Sequence, residues 1–184
     1  MNKNVLMHIC CAPCLIYPLK ALRGEGFFVQ GLFYNPNIHP YTEFKNRLDE
    51  VEKYSKAEGL RVASEVGYDM EEYMRRVAFN EEQRCAICYE MRIRKVAQAA
   101  KDSGFGSFTT TLLYSKYQKH DLLVQIANVI SKEVGIDFLY RDFREGWQEG
   151  QDKSRELDMY RQKYCGCIYS EKERFYKEQK QPVE

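Results

Sequence analysis

The sequence predicts an α/β fold, a Rossmann-like domain of three layers with a mainly parallel sheet. Short apolar segments, beginning with residues 5–9, alternate with longer segments whose apolar residues recur at helical spacing. Turns containing glycine or proline separate many of these segments, for example at 24–26 and 35–37. This alternation is typical of parallel strands joined by right-handed helical crossovers.

The first third of the chain alternates strands and helices. The first predicted helix carries Pro18 in its first turn, where a proline is tolerated. The second is predicted because its apolar residues recur at helical spacing until Gly59, which ends it. The predicted strands are 5–9, 28–34 and 61–66, and the predicted helices are 15–23 and 43–58.

The remainder continues the pattern and ends in a C-terminal helical segment. One helix is predicted directly after Cys88, running to about Lys101, and a later amphipathic helix ends at Gly135. The apolar stripe of that later helix is predicted to comprise Leu122, Leu123, Ile126, Val129, Ile130 and Val134. Further predicted elements are a helix at 69–78, strands at 107–112 and 137–140, a polar stretch at 142–152 and a helix carrying Leu157 and Tyr160.

Length and composition favour one folded domain. The chain has 184 residues, of which 44% are hydrophobic and 30% charged, enough for a core that holds a buried site. We expect a single α/β domain over 1–184, with the tail from about residue 171 partly disordered. A formal net charge of +1 neither favours nor excludes a nucleic-acid partner. Without a signal peptide or an apolar run of spanning length, a cytoplasmic protein with no membrane partner is expected.

Seven cysteines fall in three groups, at 10, 11 and 14, at 85 and 88, and at 165 and 167. Because thiols are normally kept reduced in the cytoplasm, such grouping indicates metal binding or catalysis rather than a disulfide framework. The first group follows the first strand and precedes a helix. Ligands of such folds bind beyond the carboxyl ends of strands, and a helix N-terminus favours the thiolate, so this group marks the candidate active site.

Two pairs with the spacing Cys-x-x-Cys, 11 with 14 and 85 with 88, supply four thiolates, which suits zinc or an iron–sulfur cluster. A structural zinc site competes with this interpretation, although five cysteines exceed the four ligands that zinc needs. A thioredoxin-like redox pair is a weaker alternative. Cys165-Gly166-Cys167 favours either a strained, redox-active disulfide or a further metal ligand, and the spacing does not choose between them.

Other candidates carry weaker signals. Asp142 lies near the third cysteine group along the chain and is a candidate proton donor, although solvated loop carboxylates are commoner. Tyr114 and Tyr117 follow a strand end, where substrate contacts often lie. His39 and His120 are expected to be exposed. No dinucleotide or phosphate-binding glycine motif is present in the sequence, so the electrons should come from an external donor.

Together these motifs resemble the cobalamin-independent epoxyqueuosine reductases of queuosine tRNA modification. The resemblance covers residues 4 to about 176. It rests on residues 8–14 (His-Ile-Cys-Cys-Ala-Pro-Cys), 85–92 (Cys-Ala-Ile-Cys-Tyr-Glu-Met-Arg), 108–113 (Phe-Thr-Thr-Thr-Leu-Leu), 138–144 (Phe-Leu-Tyr-Arg-Asp-Phe-Arg) and 160–170 (Tyr-Arg-Gln-Lys-Tyr-Cys-Gly-Cys-Ile-Tyr-Ser). It implies a fold like that of the nucleotide-α-hydrolase branch of Rossmann-like domains.

The resemblance also implies an activity and a cofactor. Family members reduce the epoxide of epoxyqueuosine to queuosine at the wobble position of tRNA and carry a [4Fe–4S] cluster. The resemblance also allows an additional mononuclear iron beside the cluster. By resemblance, the cluster ligands are Cys10, Cys11, Cys85 and Cys88, and a redox-active pair is formed by the two cysteines at 165 and 167. This assignment leaves Cys14 for an adjacent metal or catalytic role, whereas spacing alone pairs it with Cys11.

The implied substrate is an anticodon loop, whose single-stranded bases can stack on aromatic side chains. Candidate contacts are Tyr114, Tyr117, Arg141, Arg144 and Arg161, although for any one arginine a solvated surface is the commoner case. Three other functions compete. They are a sulfur-inserting tRNA enzyme, a zinc-stabilised RNA-binding module and a metal-free thiol–disulfide oxidoreductase. The first lacks support because the loop after the first strand is not of the phosphate-binding type.

Overall fold

The computed structural model describes residues 3–64 and 67–177 and forms a five-stranded sheet with helices on both sides. The strands are β1 (Asn4–His8), β2 (Phe28–Phe33), β3 (Val62–Ser64), β4 (Ser107–Thr110) and β5 (Asp137–Phe138). The helices are α1 (Ala12–Gly24), α2 (Tyr41–Ala57), α3 (Met70–Val77), α4 (Arg84–Asp102), α5 (His120–Val134), α6 (Trp147–Glu156) and α7 (Ile168–Phe175).

All strand pairs in the described sheet are parallel, in the order β3-β2-β1-β4-β5. The central strand β1 pairs with β2 through Val5 and Val29, and with β4 through Val5 and Ser107. From β1 the chain adds β2 and then β3 on one side of the central strand, and it later adds β4 and then β5 on the other side. A crevice therefore opens between the carboxyl ends of β1 and β4, at the switch point where open α/β sheets bind ligands.

The core encloses β1 on both faces. Every residue of 5–9 is buried, as expected for a central parallel strand covered by helices on each side. Helix α1 packs against α2 and α6, and α4 packs against α5. The α/β prediction is thus confirmed, with a fully parallel rather than mainly parallel sheet among the described strands. The division into domains stays a prediction, and residues 178–184 of the predicted tail lie outside the described residues.

Several predicted boundaries move. Helix α1 begins at Ala12, so Pro18 lies in its interior and Pro13 occupies the first turn. Helix α4 begins at Arg84, so the second cysteine pair lies inside the helix rather than before it. Only 62–64 of the predicted third strand is described as strand, and 65–66 lie outside the described residues. Helix α7 continues to Phe175, past the point where the tail was expected to lose order.

The segment 142–160 is predicted wrongly. It holds a 3₁₀ turn at Phe143–Gly146 and helix α6, which ends before Leu157. Two glycines explain the difference from the predicted polar stretch. Gly146 and Gly150 let the segment pack against Tyr17 and Tyr114 more closely than a residue with a side chain could. On α5, Val129 is 54% exposed and lies off the buried stripe. No described helix is both long and apolar enough to cross a membrane.

Candidate metal and redox centre

Three thiols meet at the carboxyl end of β1. The Sγ atoms of Cys10, Cys11 and Cys14 all lie within 4.8 Å of one another, and all three residues are buried. The Sγ atoms of Cys10 and Cys11 are 3.8 Å apart. Since metal–thiolate bonds of about 2.3 Å place tetrahedral ligands about 4 Å apart, the spacing fits shared metal coordination.

The fold fixes this group through backbone and sheet contacts. Ile9 extends the pairing of β1, because its N–H donates to the carbonyl of Leu32 at 2.8 Å. From the end of β4, Thr111 Oγ1 accepts the N–H of Cys10 at 3.0 Å and donates to Cys10 Sγ at 3.2 Å. Cys11 is the extended residue that precedes α1. Two strand ends therefore place the first thiol.

Electrostatics favour one thiolate among the three. Hydrogen bonding to the thiols of Cys11 and Cys14 lowers the pKa of Cys10 well below its ordinary value. Burial raises the pKa of Cys11, whereas the pKa of Cys14 is raised chiefly by hydrogen bonding to Cys10. Without a cation, only one of these crowded thiols ionises readily, and a coordinated metal ion is what would deprotonate the others.

The second pair lies in the first two turns of α4. Cys88 is buried and Cys85 partly buried, and burial raises the pKa of both thiols, that of Cys88 to about 12. The guanidinium of Arg92 opposes this at Cys88, because its Nη2 donates to Cys88 Sγ at 2.8 Å. Its Nε donates to the Cys88 carbonyl at 3.2 Å, and the group lies over the ring of Tyr89.

Arg92 is a buried cation that needs an anion. It is only 2% exposed, and within residues 3–64 and 67–177 it makes no ion pair with a carboxylate. Burying an uncompensated charge is costly. Its charge interacts with Cys88, Cys165 and Cys10, in that order of strength. An anionic metal centre bound by the first cysteine group would supply the compensation. Among the described residues, the sulfur atoms of Cys10, Cys11 and Cys14 lie close enough to share a metal ion, so these residues fit a thiolate-bound metal.

The third group differs in exposure. Cys165 is exposed, and Gln118 Nε2 donates to its Sγ at 3.5 Å. Cys167 is buried at the N-terminus of α7, where its Sγ accepts the N–H of Ser170 at 3.4 Å. Gly166 between them has a φ of 141°, which favours glycine. Both cysteines are free thiols in this structure.

A cavity of about 650 Å³ joins the first and third cysteine groups. Its lining includes thiols from the first and third cysteine groups and the two buried arginines Arg47 and Arg92. The lining residues used below are Cys10, Cys14, Cys165, Tyr117, Gln118, Trp147, Arg161, Gln162, Lys163, Glu173 and Arg174. Gln162 Nε2 also donates to Cys11 Sγ at 3.1 Å.

The structure brings some of the other predicted residues to the cavity and leaves others elsewhere. Tyr117, which is 85% exposed, and Arg161 line it. Tyr114 is 0% exposed and its hydroxyl donates to the carbonyl of Trp147, so it supports the wall from behind. The other predicted residues do not line the cavity. Asp142 forms an ion pair with Arg144, and Arg141 forms one with Glu25.

Similarity to known proteins is extensive. The family model described as epoxyqueuosine reductase QueH matches residues 5–173, a range that contains all seven cysteines. The chain belongs to this family. The epoxyqueuosine reductase QueH of Dehalococcoides mccartyi is 41% identical over 177 residues, covering 96% of this chain and 97% of the relative.

Two further relatives carry the same description. The protein of Thermotoga maritima is 36% identical over 181 residues, covering 93% of this chain and 92% of its own length. That of Streptococcus pyogenes is 31% identical over 184 residues, covering 94% of this chain and 72% of its own length. The expected membership of a family of epoxyqueuosine reductases is thus confirmed.

Sequence reasoning missed four residues that shape the site, namely Thr111, Arg47, Trp147 and Gln162. The sequence predicts Thr111 inside a strand, whereas in the structure it begins the turn that contacts Cys10. Arg47 follows Glu43 by four residues, a pattern usual for an exposed helical ion pair, yet it is buried. Trp147, the single tryptophan of the chain, was the one available signal for an aromatic cavity wall.

Proposed function

We propose that this chain reduces the epoxide of epoxyqueuosine to queuosine at the wobble position of tRNA, in the cytoplasm. Family membership supports this, and the observation that carries it is one cavity lined by thiols of both the first and third cysteine groups. Removing the epoxide oxygen breaks two C–O bonds and forms one C=C bond. The reaction consumes two electrons and two protons, and the oxygen leaves as water.

The metal centre is proposed as a [4Fe–4S] cluster held by Cys10, Cys11, Cys85 and Cys88. Cys14 then remains for an adjacent mononuclear iron, as the resemblance implies, and its Sγ lies within 4.8 Å of those of Cys10 and Cys11. When bound, such a centre transfers electrons singly and acts as a Lewis acid toward oxygen. Thr111 orients Cys10, and Arg92 balances the charge of the thiolates.

Cys165 and Cys167 are proposed to supply the two electrons. Oxidation of the two thiols to a disulfide releases two electrons and two protons, which matches the requirement of the epoxide. An external electron donor then returns two electrons and two protons to the disulfide. The exposure of Cys165 supports this role, because a donor can reach its sulfur from the cavity.

The cavity is suited to a single-stranded nucleotide. Its lining carries three exposed cationic side chains, Arg161, Lys163 and Arg174, and among the described lining residues one carboxylate, that of Glu173. Phosphates favour such a surface. Tyr117 meets the ring of Trp147 edge-on with 5.6 Å between centroids, which offers aromatic surface for a base.

The first experiment is anaerobic purification followed by analysis of iron, sulfide and zinc and by an activity assay on epoxyqueuosine-containing tRNA. About four iron and four sulfide per chain, with a broad absorption bleached by dithionite, are expected. Iron in excess of sulfide indicates the additional mononuclear iron. Stoichiometric zinc without sulfide, and no formation of queuosine, would overturn the proposal in favour of a zinc-stabilised RNA-binding module.

A further inference from the structure

The turn that carries the third cysteine group, residues 164–167, is held by a buried arginine of α2. Arg47 is 2% exposed, and each of its three guanidinium nitrogen atoms donates to an acceptor. Its Nη1 donates to the carbonyl of Cys165 at 2.9 Å and its Nη2 to the carbonyl of Tyr164 at 3.0 Å. Its Nε donates to Glu43 at 2.7 Å. We call residues 164–167 the cysteine turn.

The surrounding contacts fix both partners of this interaction. Glu43, which orients Arg47, also accepts the hydroxyl of Tyr160. At the other side, Tyr164 donates its hydroxyl to the carbonyl of His39, and the N–H of His39 donates to the carbonyl of Gly166 at 2.8 Å. The cysteine turn is therefore attached to α2 and to the segment after β2, and not only to its own neighbours in the chain.

Gly166 makes the close approach possible. A Cβ atom there would lie 3.1 Å from Ile38 Cγ1, 3.3 Å from Arg47 Nη1 and 3.4 Å from Asn37 Nδ2. These separations are shorter than ordinary contacts, and the φ of 141° is itself unfavourable for a residue with a side chain. A larger residue would push the turn away from the guanidinium.

A buried ion pair is a poor device for stability alone, since apolar residues of similar volume often serve as well. What an arginine adds is a planar fork that binds two acceptors in one fixed orientation. Here the fork binds two consecutive carbonyls, so it sets the direction in which the next side chains leave the backbone. One cysteine of the turn then lines the cavity while the other is buried at α7.

We propose that Arg47 is a positioning residue that holds the cysteine turn so that Cys165, and not Cys167, presents its sulfur to the cavity. Cys167 is kept buried at the N-terminus of α7. This inference rests on the proposed function, in which the two thiols deliver electrons to the centre, and it adds that Cys165 is the thiol that reacts with external partners. Lysine cannot replace Arg47, because an ammonium group does not bind two carbonyls in a fixed plane.

The test uses the anaerobically purified holoenzyme and measures how fast iodoacetamide alkylates each cysteine, with assignment by tandem mass spectrometry of the peptide containing both. In the unchanged protein Cys165 reacts well before Cys167. In Arg47→Met and in Arg47→Lys this preference is expected to disappear. With iron and sulfide content retained, kcat falls by about 100-fold, whereas KM for the tRNA stays close to its original value.

Two further variants keep the inference open to refutation. Gly166→Ala displaces the turn while leaving the Glu43–Arg47 pair in place, and it should reproduce the loss of alkylation preference even if the Arg47 variants fail to fold. Lys45→Met removes the exposed pair with Asp49 on the same helix and should change neither readout. Retained preference and kcat in Arg47→Lys would overturn the inference. If the unchanged enzyme forms no queuosine, the proposed function fails, whereas the alkylation preference still tests the positioning.

Discussion

The first and third cysteine groups are held in different ways. Cys10 follows the central strand and is fixed by sheet pairing and by Thr111 at the end of the neighbouring strand. Cys165 belongs to a turn between α6 and α7 and is fixed mainly by the side chain of Arg47. The first arrangement suits a centre whose ligands must not move. The second leaves one thiol of the turn exposed at the cavity, which suits a thiol that reacts with external partners.

The largest effect expected from this difference is on metal content. Cys85→Ala removes a proposed ligand on α4 and should abolish both the iron–sulfur absorption and the formation of queuosine. Cys165→Ser should keep iron and sulfide at the level of the unchanged protein, because the cysteine turn is not proposed to bind metal. Full activity in a Cys85→Ala protein without the cluster would contradict the proposed role of Cys85 as a ligand. Loss of iron in Cys165→Ser would show that the cysteine turn binds metal.

The next effect separates one turnover from many. In Cys167→Ser the thiol pair cannot form a disulfide, so sustained formation of queuosine should stop. When dithionite reduces the metal centre and the excess is then removed, product should still form, but only up to the amount that the stored electrons allow at two electrons per queuosine. Rapid-quench measurement of product per chain distinguishes the two regimes. Sustained turnover in Cys167→Ser, with the external donor that supports the unchanged protein, would show that Cys165 and Cys167 are not the source of electrons.

The two groups also differ in how far the sequence predicts them. The strand, the helix and the switch point follow from local apolar patterns, so the place of Cys10 at the carboxyl end of β1 is predictable. The contact of Arg47 with the cysteine turn joins residues more than 100 positions apart, and no local pattern encodes it. His39 shows the same limit. Its place in a loop predicts exposure, yet the cysteine turn and the rings of Tyr68 and Tyr73 bury it.

A stability measurement tests how the sheet holds Cys10. Thr111→Val preserves shape but leaves the buried N–H of Cys10 without its acceptor, which should lower the free energy of unfolding by about 1–3 kcal/mol. Thr109→Val is the matched control, because Thr109 is equally buried and its Oγ1 has no hydrogen-bond partner among the described residues. Urea denaturation of both metal-free proteins should show a loss for Thr111→Val and none for Thr109→Val. Equal midpoints would mean that Thr111 does not fix the first thiol.

The cavity wall offers a smaller effect on binding. Trp147→Leu should raise the KM for the tRNA by about tenfold, because loss of stacking on one aromatic side chain costs roughly 1–3 kcal/mol. The single tryptophan also allows direct observation, and binding of an anticodon-loop RNA should quench its fluorescence. Phe28→Leu is the control, since Phe28 is an exposed aromatic residue at the amino end of β2, opposite the site. No quenching on saturation with RNA would remove Trp147 from the binding surface.

The smallest effect is expected at two arginines that the sequence offered as tRNA contacts. Arg141 pairs with Glu25 and Arg144 with Asp142, and none of these four residues lines the cavity. Exposed ion pairs contribute little to stability, so Arg141→Ala and Arg144→Ala should leave both the midpoint of unfolding and the KM for the tRNA nearly unchanged. Arg161→Ala, by contrast, removes a cation from the cavity lining and should weaken binding and reduce its dependence on salt. If Arg141→Ala reduced the salt dependence as much as Arg161→Ala, the tRNA would extend well beyond the cavity, over the surface near Glu25.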